Sequence, residues 1–494
     1  MKGMAVRRRL IVSVVLGLVA TVLPLGKMSL GATCPDLTPP PLDFSDPIFI
    51  DKTRAGGEPV SVVAQDGSIS ISAHAGSTHI YKDPAAAGGA GDFLVGYTNQ
   101  TLNWRSTDGG ETWQYVGIPL LREGPHSATS SGFSDPDYAI DAGGRIYNTE
   151  INLANVSVYS STDDGQSYTI GHPEVTSGDR PWLTGGDKDE VFLYVNTLQQ
   201  IFRSTDGGLT WMLQSINSGS GPTSKMVNDP LNFKTGLIAP HGRGGLTISA
   251  DEGKTWKAFD GAGLGSTVDF FGELAVDKAG NAYKASAGGY RGASDVTPDG
   301  SVMFNYFTRD AAPGANGVRG GTWGEAVEIP IPKGDAMWPW LIAGDDGRAA
   351  MVWYQNFEGK PNEFYAMAAY TMNAHGTTVT CSDGSTQFVP PQFSVANASG
   401  RPVHLGKICL DGTNCNASAD FPAGDRRLGD FFTVNYDNDG KLFIASGDTT
   451  LRSPTGGPKP VGNPIFMKQT SGAPMLEKSI PSRKTRCITP LPSC

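Results

Sequence analysis

The chain of 494 residues carries 64 glycines, 34 prolines, only 18% charged residues and a formal net charge of −10. Glycine and proline together make up about a fifth of it, against an ordinary ~12%; this suits many short strands joined by tight turns and excludes a coiled coil. The 9 Trp, 15 Tyr and 21 Phe can build a large core, which argues against disorder, and the excess of 49 Asp and Glu over 39 Lys and Arg argues against a nucleic-acid groove.

In chain order, residues 1–32 come first. Lys2, Arg7, Arg8 and Arg9 precede an apolar run from Leu10 to about Leu25, with small residues at Gly31-Ala32, the order of an export signal. The run is short and contains Gly17 and Pro24, so a stable membrane span is not expected. The expected product is a secreted monomer, extracellular or periplasmic. Residues 33–57 read as a Pro-rich lead-in or closure strand, 58–473 as one β domain, and 474–494 as a tail pinned by a disulfide. The 6 cysteines suit an oxidising compartment. Cys409 with Cys415 and Cys487 with Cys494 each bracket a short loop, which leaves Cys34 with Cys381; fifteen connectivities exist in principle.

One motif recurs four times. Ser106-Thr107-Asp108-Gly109-Gly110-Glu111-Thr112-Trp113 is the first copy, and the others start at Ser161, Ser204 and Ser249. The period is near the ~40–50 residues of a four-stranded propeller blade. Its chemistry is that of a turn: the Asp accepts N–H bonds inside its own loop, the Gly two residues later takes positive φ, and the closing Trp or Tyr starts the next strand. The motif resembles the Asp-box (bacterial neuraminidase repeat) proteins, which include sialidases. That resemblance implies an all-β, four-stranded antiparallel β-propeller, with the boxes joining the outer strands of each blade, away from the central site.

The remaining units follow a pattern of acidic residue, apolar strand, Gly turn and second strand. They begin near Glu58, Asp135, Asp179, Asp229, Asp269, Asp335 and Asp430. Seven blades are expected, with six as the alternative because the fourth unit is irregular and the last three lack the box. The candidate site is the set Glu58, Asp135, Asp137, Asp179, Arg180, Glu273 and Asp430, which strand-leading positions would bring to a common mouth. Crowded carboxylates raise one another's pKa, as a general acid requires, and a carboxylate pair is the core of glycoside hydrolysis. The same acids could instead cap turns, or several could hold a cation.

The expected function is a sialidase-like glycoside hydrolase acting on an extracellular glycan. The alternative is a non-catalytic propeller binding polysaccharide, peptide or protein on its channel face. Sialidases hold the substrate carboxylate with three arginines and carry Arg-Ile-Pro in the first blade. Here no Arg-Ile-Pro occurs; Asp179-Arg180-Pro181-Trp182 and Arg401-Pro402 are the nearest fragments, and Arg426 and Arg427 the best further arginines. Tyr147, Tyr290 and Tyr354 are available to pair with Glu58 or Glu273. An acidic mouth would repel an anionic sugar. No cofactor is expected; a structural Ca²⁺ at Asp411, Asn414 and Asp420 is a minor possibility. His74 and His79, five apart on a strand, would point to opposite faces and are not expected to share a metal.

Overall fold

The computed structural model describes residues 33–74, 101–117, 134–151, 156–171, 178–196, 199–216, 219–242, 244–264, 273–292, 299–314, 316–410, 425–452, 454, 456–459 and 461–482. The export segment, Cys415, Cys487, Cys494, His79, Asp269, and Asp411, Asn414 and Asp420 all lie outside the described residues.

Seven antiparallel sheets follow one another along the chain, each built from four or more strands, and form a ring: a seven-bladed β-propeller. The first blade has strands Gly57–Val63, Ile69–His74, Thr101–Ser106 and Gln114–Gly117; the second begins at Ser134–Ile140, the third at Pro181–Gly185 and the fourth at Val227–Asn228. The fifth begins at Leu274–Val276, the sixth at Ala336–Ala343 and the seventh at Thr433–Tyr436. These leading strands are the innermost of their sheets. Ring closure uses both ends of the chain, since Asp43–Phe44 and Ile48–Phe49 pair antiparallel with Asn463–Ser471 of the seventh blade. A disulfide joins Cys34 to Cys381, the pairing expected by elimination. Cys409 is also disulfide-bonded, its partner lying outside the described residues.

The four repeat hairpins connect the third and fourth strands of the first four blades. In the third blade, Asp206 accepts bonds from Thr210 N (2.9 Å), Thr210 Oγ1 (2.6 Å), Leu209 N (3.1 Å) and Ser204 Oγ (2.8 Å). The loop thus satisfies itself, and Gly208 sits at φ +85°, which a side chain would resist. Trp113 of the first hairpin packs edge-on against Phe466 of the seventh blade at 5.2 Å, so this hairpin is also an inter-blade brace. Asp206→Ala removes four bonds from one exposed loop and is expected to cost about 1–2 kcal/mol in denaturant unfolding. A loss near zero would show that the hairpin holds its shape without the carboxylate.

Candidate functional site

Three of the innermost strands carry the same local irregularity at their leading ends. The ladder pairs Gly57 with His74 and next Val60 with Ser72, Ser134 with Ile151 and next Asp137 with Thr149, and Met337 with Tyr354 and next Trp340 with Val352. Two residues therefore face one, a β-bulge, and the second of them is Pro59, Pro136 or Pro339, which has no N–H to give the ladder. The residue before each proline is left-handed: Glu58 at φ +50°, Asp135 at +49° and Trp338 at +54°, and Arg180 before Pro181 matches them at +52°. Positive φ before proline costs on the order of 1–3 kcal/mol per residue and persists only where surrounding contacts enforce it. These four conformers turn Glu58, Asp135, Arg180 and Trp338 out of the pleat at one end of the ring, the mouth.

Glu58 is fully buried at the hub of this mouth. Its Oε2 accepts from Asp135 N (3.2 Å), its Oε1 from Asp430 N (2.9 Å), and His74 Nε2 lies 3.1 Å from Oε2. Asp135 passes the pattern on, its Oδ2 accepting from Arg180 N at 3.2 Å. The seventh, first, second and third blades are thus tied carboxyl to backbone around the mouth. Asp430 is bridged by Arg426 at 2.8 Å. Burial, then the neighbouring Asp430, raise Glu58 to about 7, against Arg426 and the two backbone donors. Burial, then Glu58, Asp179 and Asp430, raise Asp135 well above the usual carboxylate range, with Arg180 opposing.

A folded Glu58 therefore keeps its proton to about pH 7, an unfolded one to about 4.5. Below the lower value both states hold the proton, so the stabilisation is complete there, and it is lost as pH rises through the upper value. Glu58→Gln is expected to flatten the fall of the thermal midpoint between about pH 5 and 7. A slope equal to that of the wild type would count against a retained proton on Glu58.

The other expected site residues separate. Asp179 is exposed, its carboxylate 3.9 Å from the Arg180 guanidinium at the rim. Asp137 and Glu273 line a cavity of about 270 Å³ further along the channel. Asp137 accepts from Leu183 N (2.7 Å) and Lys225 Nζ (2.5 Å), and burial raises it against the pull of Lys225. Trp182, Trp340 and Phe431, from the third, sixth and seventh blades, meet across the channel with ring centroids 5.4–5.9 Å apart. Arg426 reaches the mouth, whereas Arg427 turns back to a buried pair with Asp425 at 2.6 Å.

Sequence reasoning did not anticipate His74, Trp338 or Lys225 at these places. The signal for Trp338 was present in the repeated residue-Pro step, which Trp338-Pro339 shares with Glu58-Pro59. Tyr147, Tyr290 and Tyr354 bond to Asp141, the Ile408 carbonyl and Ser446. A buried Tyr–Glu hydrogen bond runs from Tyr159 to Glu150, 2.5 Å, in the second blade. Among the described residues one trio, Asp277, Asp346 and His375, has ligand atoms within 4.8 Å of one another. Asp277 already accepts from Asn281 N, Tyr283 Oη and Gly347 N, which leaves its carboxylate little capacity for a cation.

The ring of bulged strands with a buried acid cluster defines a propeller with a polar mouth and an aromatic-filled channel. The fold is a seven-bladed β-propeller, and the sequence is similar to that of a sialidase. The chain is 26% identical over 327 residues to a sialidase of Micromonospora viridifaciens, a match covering 61% of this chain and 42% of that protein. The chain therefore spans less than half the length of that relative. No protein-family model matches it. Similar solved structures include the intramolecular trans-sialidase of Ruminococcus gnavus, with TM-score 0.41, 13% identity, and coverage of 71% of this chain and 96% of that one. A fungal alcohol oxidase in complex with copper has TM-score 0.47, 12% identity, and coverage of 89% and 77%.

Proposed function

We propose that the protein is a secreted glycoside hydrolase of sialidase-like architecture, acting on an extracellular glycan at the mouth formed by Glu58, Asp135, Arg180, Arg426 and Asp430. The observation that carries this reading is the convergence of three buried carboxyls from the first, second and seventh blades beside two arginines. A carboxyl that keeps its proton near neutrality can protonate a leaving glycosidic oxygen, and its partner can stabilise the oxocarbenium-like transition state. Asp135 is assigned as general acid, because it lies beside the rim pair Asp179 and Arg180, where a substrate would enter. Arg180 and Arg426 would hold an acidic or hydroxyl group of the sugar. The disulfide and the export-type leader support secretion.

A second reading, a non-catalytic glycan binder, is favoured by the ties themselves: Glu58, Asp135 and Asp137 each spend oxygens on backbone N–H groups of neighbouring blades. Steady-state kinetics on sialosides and neutral glycosides separate the two. The enzyme reading expects turnover, with KM for acidic glycans raised about tenfold in Arg180→Ala. Saturable binding without product would support the binder.

A further inference from the structure

A cavity lies away from the mouth, at the hairpin end of the fourth and fifth blades. The fifth blade lacks the repeat hairpin, and the connection between its strands Val302–Arg309 and Gly321–Trp323 has a different sequence, described at 310–314 and 316–320. In the first four blades the hairpin glycine backbone seats against the preceding blade. A Cβ at Gly110 would come 2.1 Å from Phe466, at Gly165 2.6 Å from Ser70, at Gly208 3.6 Å from Tyr147 and at Gly253 3.3 Å from Ile201. At Gly317 of the fifth blade the nearest atom, on Ala250, is 4.0 Å away. The loop stands off, and a cleft of about 460 Å³ remains between the blades. That volume lies within the range of small-molecule sites.

The cleft has a directional lining. Trp256 and Leu231 give it apolar surface, while Asn232, Asn316, Lys257 and Arg319 give it polar groups. Its two acids are already engaged. Asp229 is held by Arg309 Nη2 at 2.8 Å, both side chains almost fully buried. Asp251 accepts from Ser249 Oγ, Thr255 N and Thr255 Oγ1 at 2.6–2.9 Å. The cations are not engaged in that way. Among the described residues, Lys257 and Arg319 have no carboxylate partner, and Arg319 uses Nη1 on the carbonyls of Asp310 and Ala311. With Asp229 paired to Arg309 and Asp251 still ionised, Lys257 and Arg319 leave the cleft one positive charge in excess, on a chain whose formal net charge is −10.

We propose that this cleft is a second saccharide site, for a carboxylate-bearing sugar. Lys257 and Arg319 take the carboxylate through charge-assisted hydrogen bonds, the Asn232 and Asn316 amides take hydroxyls, and the C–H face of the ring lies on Trp256. The site is independent of any chemistry at the mouth.

The test is isothermal titration of the full chain with N-acetylneuraminic acid and with glucuronic acid, with N-acetylglucosamine as the neutral control. Both acids are expected to bind and the neutral sugar not. Lys257→Glu combined with Arg319→Glu is expected to weaken acid binding about tenfold or more. Ala250→Leu, which fills the cleft without touching a charge, is expected to do the same. Thermal midpoints establish that each variant is folded. Absence of saturable binding by either acid, equal binding of the neutral sugar, or full-strength binding in both cleft variants overturns the proposal. Turnover is measured on the same samples. Binding lost with turnover retained isolates the cleft, and turnover absent with binding retained rejects the catalytic mouth alone.

Discussion

Asp135→Asn is expected to lower kcat by about 10²–10⁴-fold, the usual contribution of a general acid, and to leave the thermal midpoint nearly unchanged. The asparagine amide oxygen can still accept the Arg180 N–H that Asp135 Oδ2 accepts at 3.2 Å, so the tie between the second and third blades survives. The transferable proton is lost. Glu58 provides the contrast: its two carboxylate oxygens serve two different backbone donors, on Asp135 and Asp430. Glu58→Gln can accept only one of them and should lose stability as well as turnover. Kinetics and thermal melts on both variants therefore separate a chemical role from a structural one. A kcat equal to that of the wild type in Asp135→Asn removes Asp135 from the acid's role.

Arg309→Met is expected to destabilise the protein by about 3–5 kcal/mol. Arg309, on the third strand of the fifth blade, pairs with Asp229 just past the leading strand of the fourth; their side chains are 2% and 3% exposed. Removing the guanidinium leaves a buried carboxylate whose remaining partner among the described bonds is Leu231 N. Adding Asp229→Leu removes the stranded charge and should recover much of the loss, because an apolar pair of similar volume avoids the desolvation cost. Denaturant unfolding of the two single variants and the double measures this. Equal losses in Arg309→Met and in the double variant would show that the pair acts through packing alone.

Much of this architecture was legible in the sequence because it rests on local chemistry. The four hairpins are closed by bonds within eight-residue segments, so Ser, Asp, Gly and Trp at fixed offsets announce them without tertiary context. The blade count followed from the strand-leading acids, and the Cys34 to Cys381 bridge from the spacing of the other cysteines. The mouth was only partly legible. Glu58, Asp135 and Asp430 do meet, but Asp137 and Glu273 line the channel cavity and Asp179 faces solvent. Side-chain direction in a strand changes with every residue, and one bulge resets it. The residue-Pro steps were visible as turn formers, yet nothing local states that they are left-handed bulges. His74 reaches Glu58 through strand pairing, and Trp338 reaches the mouth end through its own bulge; neither follows from spacing alone. The cleft between the fourth and fifth blades arises from a motif that is missing, which periodicity registers as irregularity rather than as a site.

The measurement that bears most directly on the proposed catalytic role of the mouth is product release from a panel of chromogenic glycosides, sialosides included, by the purified chain between about pH 4 and 8. The account predicts release from at least one glycoside, with a rate that declines as the mouth carboxyls lose their proton and that collapses in Asp135→Asn. No release from any glycoside at any pH, from a protein that is folded and still binds glycan, would contradict it.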